Sequence, residues 1–323
     1  MYKYFAEKMK SFPKTVLIMV LAAAAGCTSN RYETFSGYAQ GGTYSVKANL
    51  ERVSVPHETI AASIDSLLEE IDFSISGYNK NSLLSRRNAG EDIVPDRHFK
   101  ALLELSEKYS KMTDGAFDVW AAPLFDIWGF GFTADSLPSP ERIAGALALC
   151  KEHKTLNFNA IAQGYSCDVI ASYLYSIGVK DMLVDIGEIY CDGLNPHGKG
   201  WSIGVDNPVD GNDTPGRDLR GIWRSDGSGQ GIVTSGNYRK FYIRDGKKYA
   251  HTIDPRTGMP VQHNLLSATV VAPSAAEADA LATACMVMGA EAAREFVLSH
   301  PGIEAYLITS DGTWASEGFK TEK

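Results

Sequence analysis

Asp279 and Thr283 combine residue types and spacing that could hold a metal ion. They lie four positions apart in Glu277-Ala-Asp-Ala-Leu-Ala-Thr-Ala284, inside a predicted helix. On a helix this spacing brings the carboxylate and the hydroxyl to one face, and hard oxygen ligands suit Mg²⁺. Such a pair more often belongs to a solvated helix face, so a metal site requires support from other segments.

His251 is the strongest candidate for proton transfer. It lies with Asp254 after a predicted strand and just before a turn that contains Pro255 and Gly258. Loops at strand ends often carry catalysis, and an imidazole can accept a proton near neutral pH. The alternative is a structural turn, in which Asp254 caps backbone amides and His251 packs against its neighbours.

A third segment, residues 157–168, runs from a predicted strand into a predicted helix through small residues that include Ala160 and Gly164. Backbone can approach a ligand where side chains are small, and the N-terminus of a helix favours phosphate. The segment does not match G-x-G-x-x-G. A tight packing turn between strand and helix therefore stays open as the alternative reading.

The elements that must position these residues form no regular βαβ alternation, which favours an α+β fold over a doubly wound one. No Pro/Ser-rich linker, repeat or charge run divides the chain, so we expect one large mixed-sheet domain over residues 37–323 with packed helices. Apolar spacing predicts helices at residues 60–73, 99–112, 141–150, 162–177, 276–288 and 292–299. Strands are predicted at residues 43–48, 182–186, 201–205, 240–243, 267–271 and 304–308.

The first 26 residues have the pattern of a signal peptide. Four lysines precede a short apolar run at residues 16–25, and the run is shorter than the roughly 20 residues that span a bilayer. Small residues lead directly into Cys27, as in bacterial lipoproteins, which predicts lipidation of that cysteine. The chain is then exported and anchored to the cell membrane, with residues 27–36 as a short tether. An ordinary secretory signal with an incidental Cys27 is the alternative.

Charge and cysteine content disfavour a nucleic-acid partner and a zinc site. Loss of residues 1–26 removes four lysines and one glutamate, which moves the formal charge from −8 to −11. An acidic surface disfavours nucleic acid as a partner. The remaining cysteines form no C-x-x-C pair and have no histidine at metal spacing, so a zinc site is not expected.

These segments, together with others in a fixed order, carry a family resemblance. The segments are Gly42-Thr43-Tyr44, Ser76-Gly-Tyr78, Asn81-Ser-Leu-Leu-Ser85-Arg86, Thr113-Asp-Gly115-Ala-Phe117-Asp118, Pro123-Leu124, Trp128-Gly-Phe-Gly131, Ala160-Ile-Ala-Gln-Gly164-Tyr165, Asp185-Ile-Gly187, Thr234-Ser-Gly-Asn-Tyr-Arg239, His251-Thr-Ile-Asp-Pro255 and Ala278-Asp-Ala-Leu-Ala-Thr283. With these segments the chain resembles, over about residues 41–308, the FAD:protein FMN transferases of the ApbE flavin-trafficking family.

The resemblance implies Mg²⁺-dependent transfer of FMN from FAD to a threonine or serine hydroxyl of an acceptor flavoprotein, with release of AMP. Acceptors of this kind include subunits of membrane redox pumps and exported flavoproteins. It also implies that Mg²⁺ is held by Asp279, Thr283 and the main-chain carbonyl of Ala160, with a contact from Ala282. The FAD contacts that it implies are Gly41, Tyr78, Val119, Trp120, Ala121, Asn157, Gln163 and Ile253.

The sequence departs from the family pattern at four places. Asn157 stands where aspartate is usual, and Gln163 where lysine or glutamate is common. Val119-Trp120 replaces a Pro-Thr-like pair, and the segment around Gly187 has one glycine where two are usual. Two other functions share the same residues, namely a FAD pyrophosphatase that uses water as the acceptor and a lipid-anchored FAD carrier without activity.

Overall fold

The computed structural model describes residues 31–130, 137–209, 211, 212, 214, 216–238, 241–244 and 247–322. The expected signal segment 1–26, Cys27, Gly131 and Arg239 lie outside the described residues. The strands, in chain order, are β1 (Tyr32–Ala39), β2 (Gly42–Asn49), β3 (Met182–Asp185), β4 (Ile189–Asp192), β5 (Ser202–Asp206), β6 (Leu219–Arg224), β7 (Gln230–Gly236), β8 (Phe241–Arg244), β9 (Lys247–Ala250), β10 (Ile253–Asp254), β11 (Met259–Pro260), β12 (Leu265–Ala272), β13 (Glu304–Thr309), β14 (Thr313–Ala315) and β15 (Thr321–Glu322).

The helices alternate with these strands only loosely. They are α1 (His57–Ile75), α2 (Leu83–Asn88), α3 (Arg97–Met112), α4 (Ala122–Ile127), α5 (Pro140–Lys151), α6 (Ala162–Ser176), α7 (Ala275–Met288) and α8 (Ala290–Ser299), with a 3₁₀ turn at Val119–Ala121. No helix within the described part of the chain is both long and apolar enough to span a bilayer.

One sheet of eight strands organises the molecule in the order β1-β2-β3-β4-β7-β12-β13-β14. Every neighbouring pair in it is antiparallel. A smaller sheet contains β15, β6 and β5, while β8–β9 and β10–β11 form separate two-stranded pairs. Strands and helices thus follow each other without repeated βαβ units, and the α+β prediction is confirmed.

The core has layers on both faces of the large sheet. Helices α1 and α6 pack on one half through residues such as Ile64 and Ile170, and α7 and α8 pack on the other half through residues such as Leu281 and Val297. The small sheet covers the opposite face, where Trp223 joins an apolar cluster. This arrangement places α6 and α7 side by side.

The expected tether is too long by five residues. Residues 32–36, assigned to it, belong to β1, whose register pairs Tyr32 with Asn49 of β2. Phe35 anchors the strand with only 3% of its surface exposed, while most neighbouring side chains of β1 lie outside the core. Because β1 is an edge strand with few buried side chains, its polar pattern resembles a tether, and within the described residues the large sheet begins at Tyr32.

Candidate active site

Helix α7 carries the two predicted metal ligands, Asp279 and Thr283. The helix starts cleanly because the Ser274 hydroxyl accepts a hydrogen bond from the Glu277 amide at 3.1 Å, as an N-cap does. It ends at Gly289, whose φ of 81° stops the helical turn. Its many alanines are buried, and such small side chains allow neighbouring elements to approach the backbone closely.

Asp279 is buried against α6, with 5% of its surface exposed. Its Oδ2 accepts a hydrogen bond from the Gly164 amide at 3.1 Å, and among the described residues no donor reaches Oδ1. Burial raises the pKa of the Asp279 carboxyl and the nearby Asp168 charge raises it further, while the Gly164 bond opposes them. A carboxylate in this position is stabilised by a cation.

The donors near Asp279 are those that a hard cation takes. Within the described ranges no group of three or more His, Cys, Asp or Glu side chains could hold a metal, so the available set is one carboxylate, hydroxyls and carbonyls. Ala160 precedes α6 by two residues, in the same turn that leads to Gly164. A carboxylate with an unbonded oxygen, a hydroxyl four residues later and nearby main-chain carbonyls fit Mg²⁺.

Thr283 lies beside a residue that sequence reasoning missed, Ser235. The two hydroxyl oxygens are 3.4 Å apart, and Ser235 belongs to β7 near its C-terminal end. Two residues further on, the Asn237 side chain accepts a hydrogen bond from the Thr252 hydroxyl at 2.5 Å. The end of β7 therefore connects the Thr283 face of α7 to the segment that carries His251.

His251 is half-buried next to β10. Its ring meets Phe130 edge-on with 6.3 Å between ring centroids. Asp254 does not point toward it as a catalytic partner would, because the Asp254 carboxylate pairs with the Arg256 guanidinium at 2.9 and 3.0 Å and accepts the Arg256 amide. Asp254 thus has the structural role of the alternative reading, and the segment of His251 is linked to the end of β7 through the adjacent Thr252.

A large open cavity of about 1120 Å³ lies between the β1–β2 turn, α1 and the start of α6. Three of the residues implied to bind FAD line it, namely Gly41, Tyr78 and Gln163. The turn that carries Gly41 is left-handed at both of its central residues, with φ of 51° at Gln40 and 82° at Gly41. A two-residue hairpin turn of this kind favours glycine.

The single glycine at position 187 has a steric cause. Gly187 has a φ of 91°, and a Cβ there would lie 2.7 Å from the Gln163 side-chain nitrogen. The Gly187 amide also donates to the Asp185 carboxylate at 3.0 Å. The left-handed φ favours glycine at 187, and the turn after β3 lies beside the flexible end of the Gln163 side chain.

The other implied FAD contacts lie around the 3₁₀ turn. The Asn157 amide donates to the Val119 carbonyl at 2.9 Å, so these two segments run together. The Trp120 ring stacks on His153 at 4.6 Å and lies under the Arg87 guanidinium at 5.1 Å. Ala121 is buried, as are Ile253 and Ala282 on β10 and α7. Contacts from these three residues to a ligand would have to come from their main chains.

Tyr78 is exposed, with 71% of its surface accessible, and its hydroxyl accepts a hydrogen bond from the Asn159 side-chain amide at 3.3 Å. A ring stacked on it would gain about 1–3 kcal/mol, so Tyr78→Ala should weaken FAD binding about tenfold or more. Titration of FAD fluorescence measures this. Tyr78→Phe keeps the ring and should bind FAD almost as wild type does, and equal affinities for all three proteins would remove Tyr78 from the site.

Close contact between α6 and α7 at Gly164 predicts a strong effect on stability. A Cβ at Gly164 would lie 2.3 Å from the Ala275 carbonyl oxygen, which is backbone and cannot turn away. Gly164→Ala should lower the free energy of unfolding by about 1–3 kcal/mol. Gly145→Ala, on exposed α5 with no atom within 4 Å of the added Cβ, should instead stabilise by roughly 0.5–1 kcal/mol. Urea denaturation of both variants tests the pair, and similar effects would contradict it.

Comparison with known proteins assigns the chain to a known family. The model of the ApbE family matches residues 40–307 of the sequence. The chain belongs to the ApbE family. A FAD:protein FMN transferase of Vibrio cholerae is 34% identical over 299 residues, which cover 85% of this chain and 87% of the relative. One of Escherichia coli K12 is 33% identical and covers 80% of each chain.

Solved structures of ApbE proteins share the fold. The flavin transferase ApbE from Vibrio cholerae aligns with a TM-score of 0.77 at 31% identity, covering 89% of this chain and 98% of that one. The flavinyl transferase ApbE of Pseudomonas stutzeri, in its apo form, also gives a TM-score of 0.77 at 31% identity, with 88% and 94% covered. The expected family membership is thus confirmed.

Proposed function

We propose that this ApbE-family protein transfers FMN from FAD to a threonine or serine hydroxyl of an acceptor flavoprotein, in a Mg²⁺-dependent reaction that releases AMP. Relatives at 33–34% identity carry the name FAD:protein FMN transferase, which supports flavin transfer from FAD. The observation that carries the metal-dependent part is the buried Asp279 carboxylate, which has one oxygen bonded to Gly164 and shares a helix with Thr283.

In this proposal Mg²⁺ would neutralise charge on the diphosphate of FAD. Asp279, Thr283 and the Ala160 carbonyl are the residues that would hold it, and when bound it supplies positive charge to a diphosphate. FAD carries two negative charges on its diphosphate, and the mature protein is itself acidic. An ion held by these residues would favour the diphosphate of FAD near the α6–α7 pair, and the cavity lined by Gly41 and Tyr78 would then be available for the rest of FAD.

His251 is the base that we assign to the acceptor. Its imidazole takes the proton of the threonine or serine hydroxyl as that oxygen attacks the FMN phosphorus. The bond between this phosphorus and the oxygen bridging to the AMP phosphate breaks, and AMP leaves with the electron pair. The product is FMN joined to the acceptor through a phosphoester. Subunits of membrane redox pumps and exported flavoproteins are the acceptor class that we propose.

Product analysis distinguishes this function from its two alternatives. The protein is incubated with FAD and Mg²⁺, with and without a purified acceptor flavoprotein domain, and nucleotides are separated by chromatography. If the protein is a transferase, AMP appears only when the acceptor is present, and its amount equals the amount of FMN attached to the acceptor. Release of free FMN and AMP at the same rate without acceptor would indicate a pyrophosphatase, and unchanged FAD under all conditions would indicate a carrier.

We further propose that the protein is exported and held on the membrane by a lipid on Cys27, which follows the apolar run of residues 16–25. Stable membrane anchoring by covalently attached lipid requires either two acyl chains or one chain with additional contacts. Because Cys27→Ala removes the site of lipid attachment, it should move most of the protein from the membrane to the soluble fraction. Fractionation of cells that express each form measures this, with globomycin treatment as a second arm. Full membrane partition of Cys27→Ala would contradict the anchor.

A further inference from the structure

Asp168 joins helices α6 and α7 at the point where α7 begins. Its Oδ1 accepts a hydrogen bond from the Ala275 amide at 2.8 Å and its Oδ2 accepts one from the Ala276 amide at 2.9 Å. Amides in the first turn of a helix have no partner within the helix, and a carboxylate there also meets the positive end of the helix dipole. One side chain of α6 thus satisfies two main-chain donors of α7.

A second link crosses the same helix pair in the opposite direction. Asp279, one turn into α7, accepts the amide of Gly164, which lies one turn before Asp168 on α6. These two sets of hydrogen bonds lie one helical turn apart. Together they fix the rotation of α7 about its own axis and its translation along α6. The rotation of α7 decides the direction in which Asp279 and Thr283 present their oxygens.

The start of α7 packs closely against the backbones of α6 and β7. A Cβ on Gly164 would come within 2.3 Å of the Ala275 carbonyl oxygen, and one on Gly231 of β7 would come within 2.4 Å of the Ala275 Cα. The start of α7 therefore lies between α6 and β7, and both neighbours approach it through a glycine. Loss of the Asp168 hydrogen bonds would allow the first turn of α7 to shift from this position.

We propose that Asp168 is a positioning residue for the cation, acting through α7 to set the direction of Asp279 and Thr283. The inference rests on the proposed Mg²⁺ site and adds a residue to which neither the sequence motifs nor the resemblance gives a role. Asp168 bonds to the helix that carries Asp279 and Thr283, through the Ala275 and Ala276 amides. Residues that orient metal ligands contribute about 10–100-fold to metal affinity.

Replacing Asp168 by asparagine tests this with little change in size. The amide keeps one acceptor oxygen and turns the other position into an NH₂ donor that faces a main-chain N–H. The Mg²⁺ concentration for half-maximal FAD cleavage should rise about tenfold or more in Asp168→Asn, with kcat at saturating Mg²⁺ changed much less. Binding of Mn²⁺, followed by electron paramagnetic resonance without FAD, should weaken by a similar factor.

Asp96→Asn is the matched control. Asp96 is the N-cap of α3, where one carboxylate oxygen accepts the Phe99 amide at 2.9 Å and the Ser74 hydroxyl at 2.7 Å, so its replacement removes a carboxylate at a helix start outside the α6–α7 pair. Asparagine caps a helix about as well as aspartate, so this variant should keep both its melting temperature and its Mn²⁺ affinity close to wild type. Asp168→Ser, which is smaller and keeps one acceptor, serves as the second variant and should also weaken Mn²⁺ binding.

The outcomes separate this inference from the proposed function. Unchanged Mn²⁺ affinity in Asp168→Asn and Asp168→Ser, or an equal loss in Asp96→Asn, would overturn the positioning role. Failure of both Asp168 variants to fold at 25 °C would overturn it as well, because Asp168 would then serve the fold as a whole. Wild-type protein that binds Mn²⁺ but leaves FAD intact at every Mg²⁺ concentration would instead count against the proposed function.

Discussion

Asp279→Ala should abolish Mg²⁺-dependent FAD cleavage while leaving the protein folded. The Asp279 carboxylate is the one anionic ligand in the proposed set, and its loss leaves only neutral oxygens for an ion that gives up its water reluctantly. Without Mg²⁺ the variant should stay folded, because the free energy lost with the Gly164 hydrogen bond is offset by removal of a carboxylate that is buried without a cation. Initial rates of AMP release across a Mg²⁺ titration measure the effect.

Asp279→Asn separates charge from shape in the same experiment. The asparagine oxygen can still accept the Gly164 amide, so the α6–α7 contact is retained while the negative charge is lost. We expect the melting temperature to rise with added Mg²⁺ in wild type, as binding to the native state requires, and to stay constant in both variants. Cleavage by Asp279→Ala with the wild-type Mg²⁺ dependence would remove this residue from the metal site.

His251→Ala should spare FAD binding and lower transfer to the acceptor by about 10² to 10⁴. The imidazole can accept a proton but is a poor ligand for Mg²⁺, so its removal acts on the acceptor and leaves the bound cofactor in place. FAD affinity by fluorescence and flavin-labelled acceptor on a gel report the two properties separately.

His197→Ala is the control for this variant, because His197 is exposed in the loop between β4 and β5. It should transfer flavin at the wild-type rate. If His251→Ala transfers nearly as well as His197→Ala does, another group removes the proton and the base assignment is wrong. A rise in free FMN with His251→Ala would show in addition that water replaces the acceptor.

Local patterns in the sequence were sufficient for the elements that carry the ligands. The predicted helix 276–288 differs from α7 by one residue at its start, because apolar spacing is a local signal. The same holds for α6, predicted at 162–177 and observed to end at Ser176. On α7 the four-residue spacing of Asp279 and Thr283 follows from helical geometry alone.

Long-range contacts could not be predicted in the same way. Strand β7 was not predicted because its Ile-Val-Thr-Ser run has glycine at both ends, which lowers strand propensity. Ser235 on that strand meets Thr283 only because β7 crosses beneath α7, 48 positions away in sequence. The Asp168 bonds to Ala275 and Ala276 likewise span more than 100 positions. Nothing in the spacing of an isolated segment encodes such pairs.

The central claim, that the flavin ends on an acceptor hydroxyl, is tested most directly by intact mass spectrometry of the acceptor. A purified acceptor flavoprotein domain is incubated with FAD, Mg²⁺ and this protein, and AMP is quantified in the same sample. We expect the acceptor to gain the mass of one FMN unit, with one AMP formed for each acceptor modified, and no gain when Asp279→Ala replaces wild type. An acceptor of unchanged mass beside equal amounts of free FMN and AMP would contradict the account.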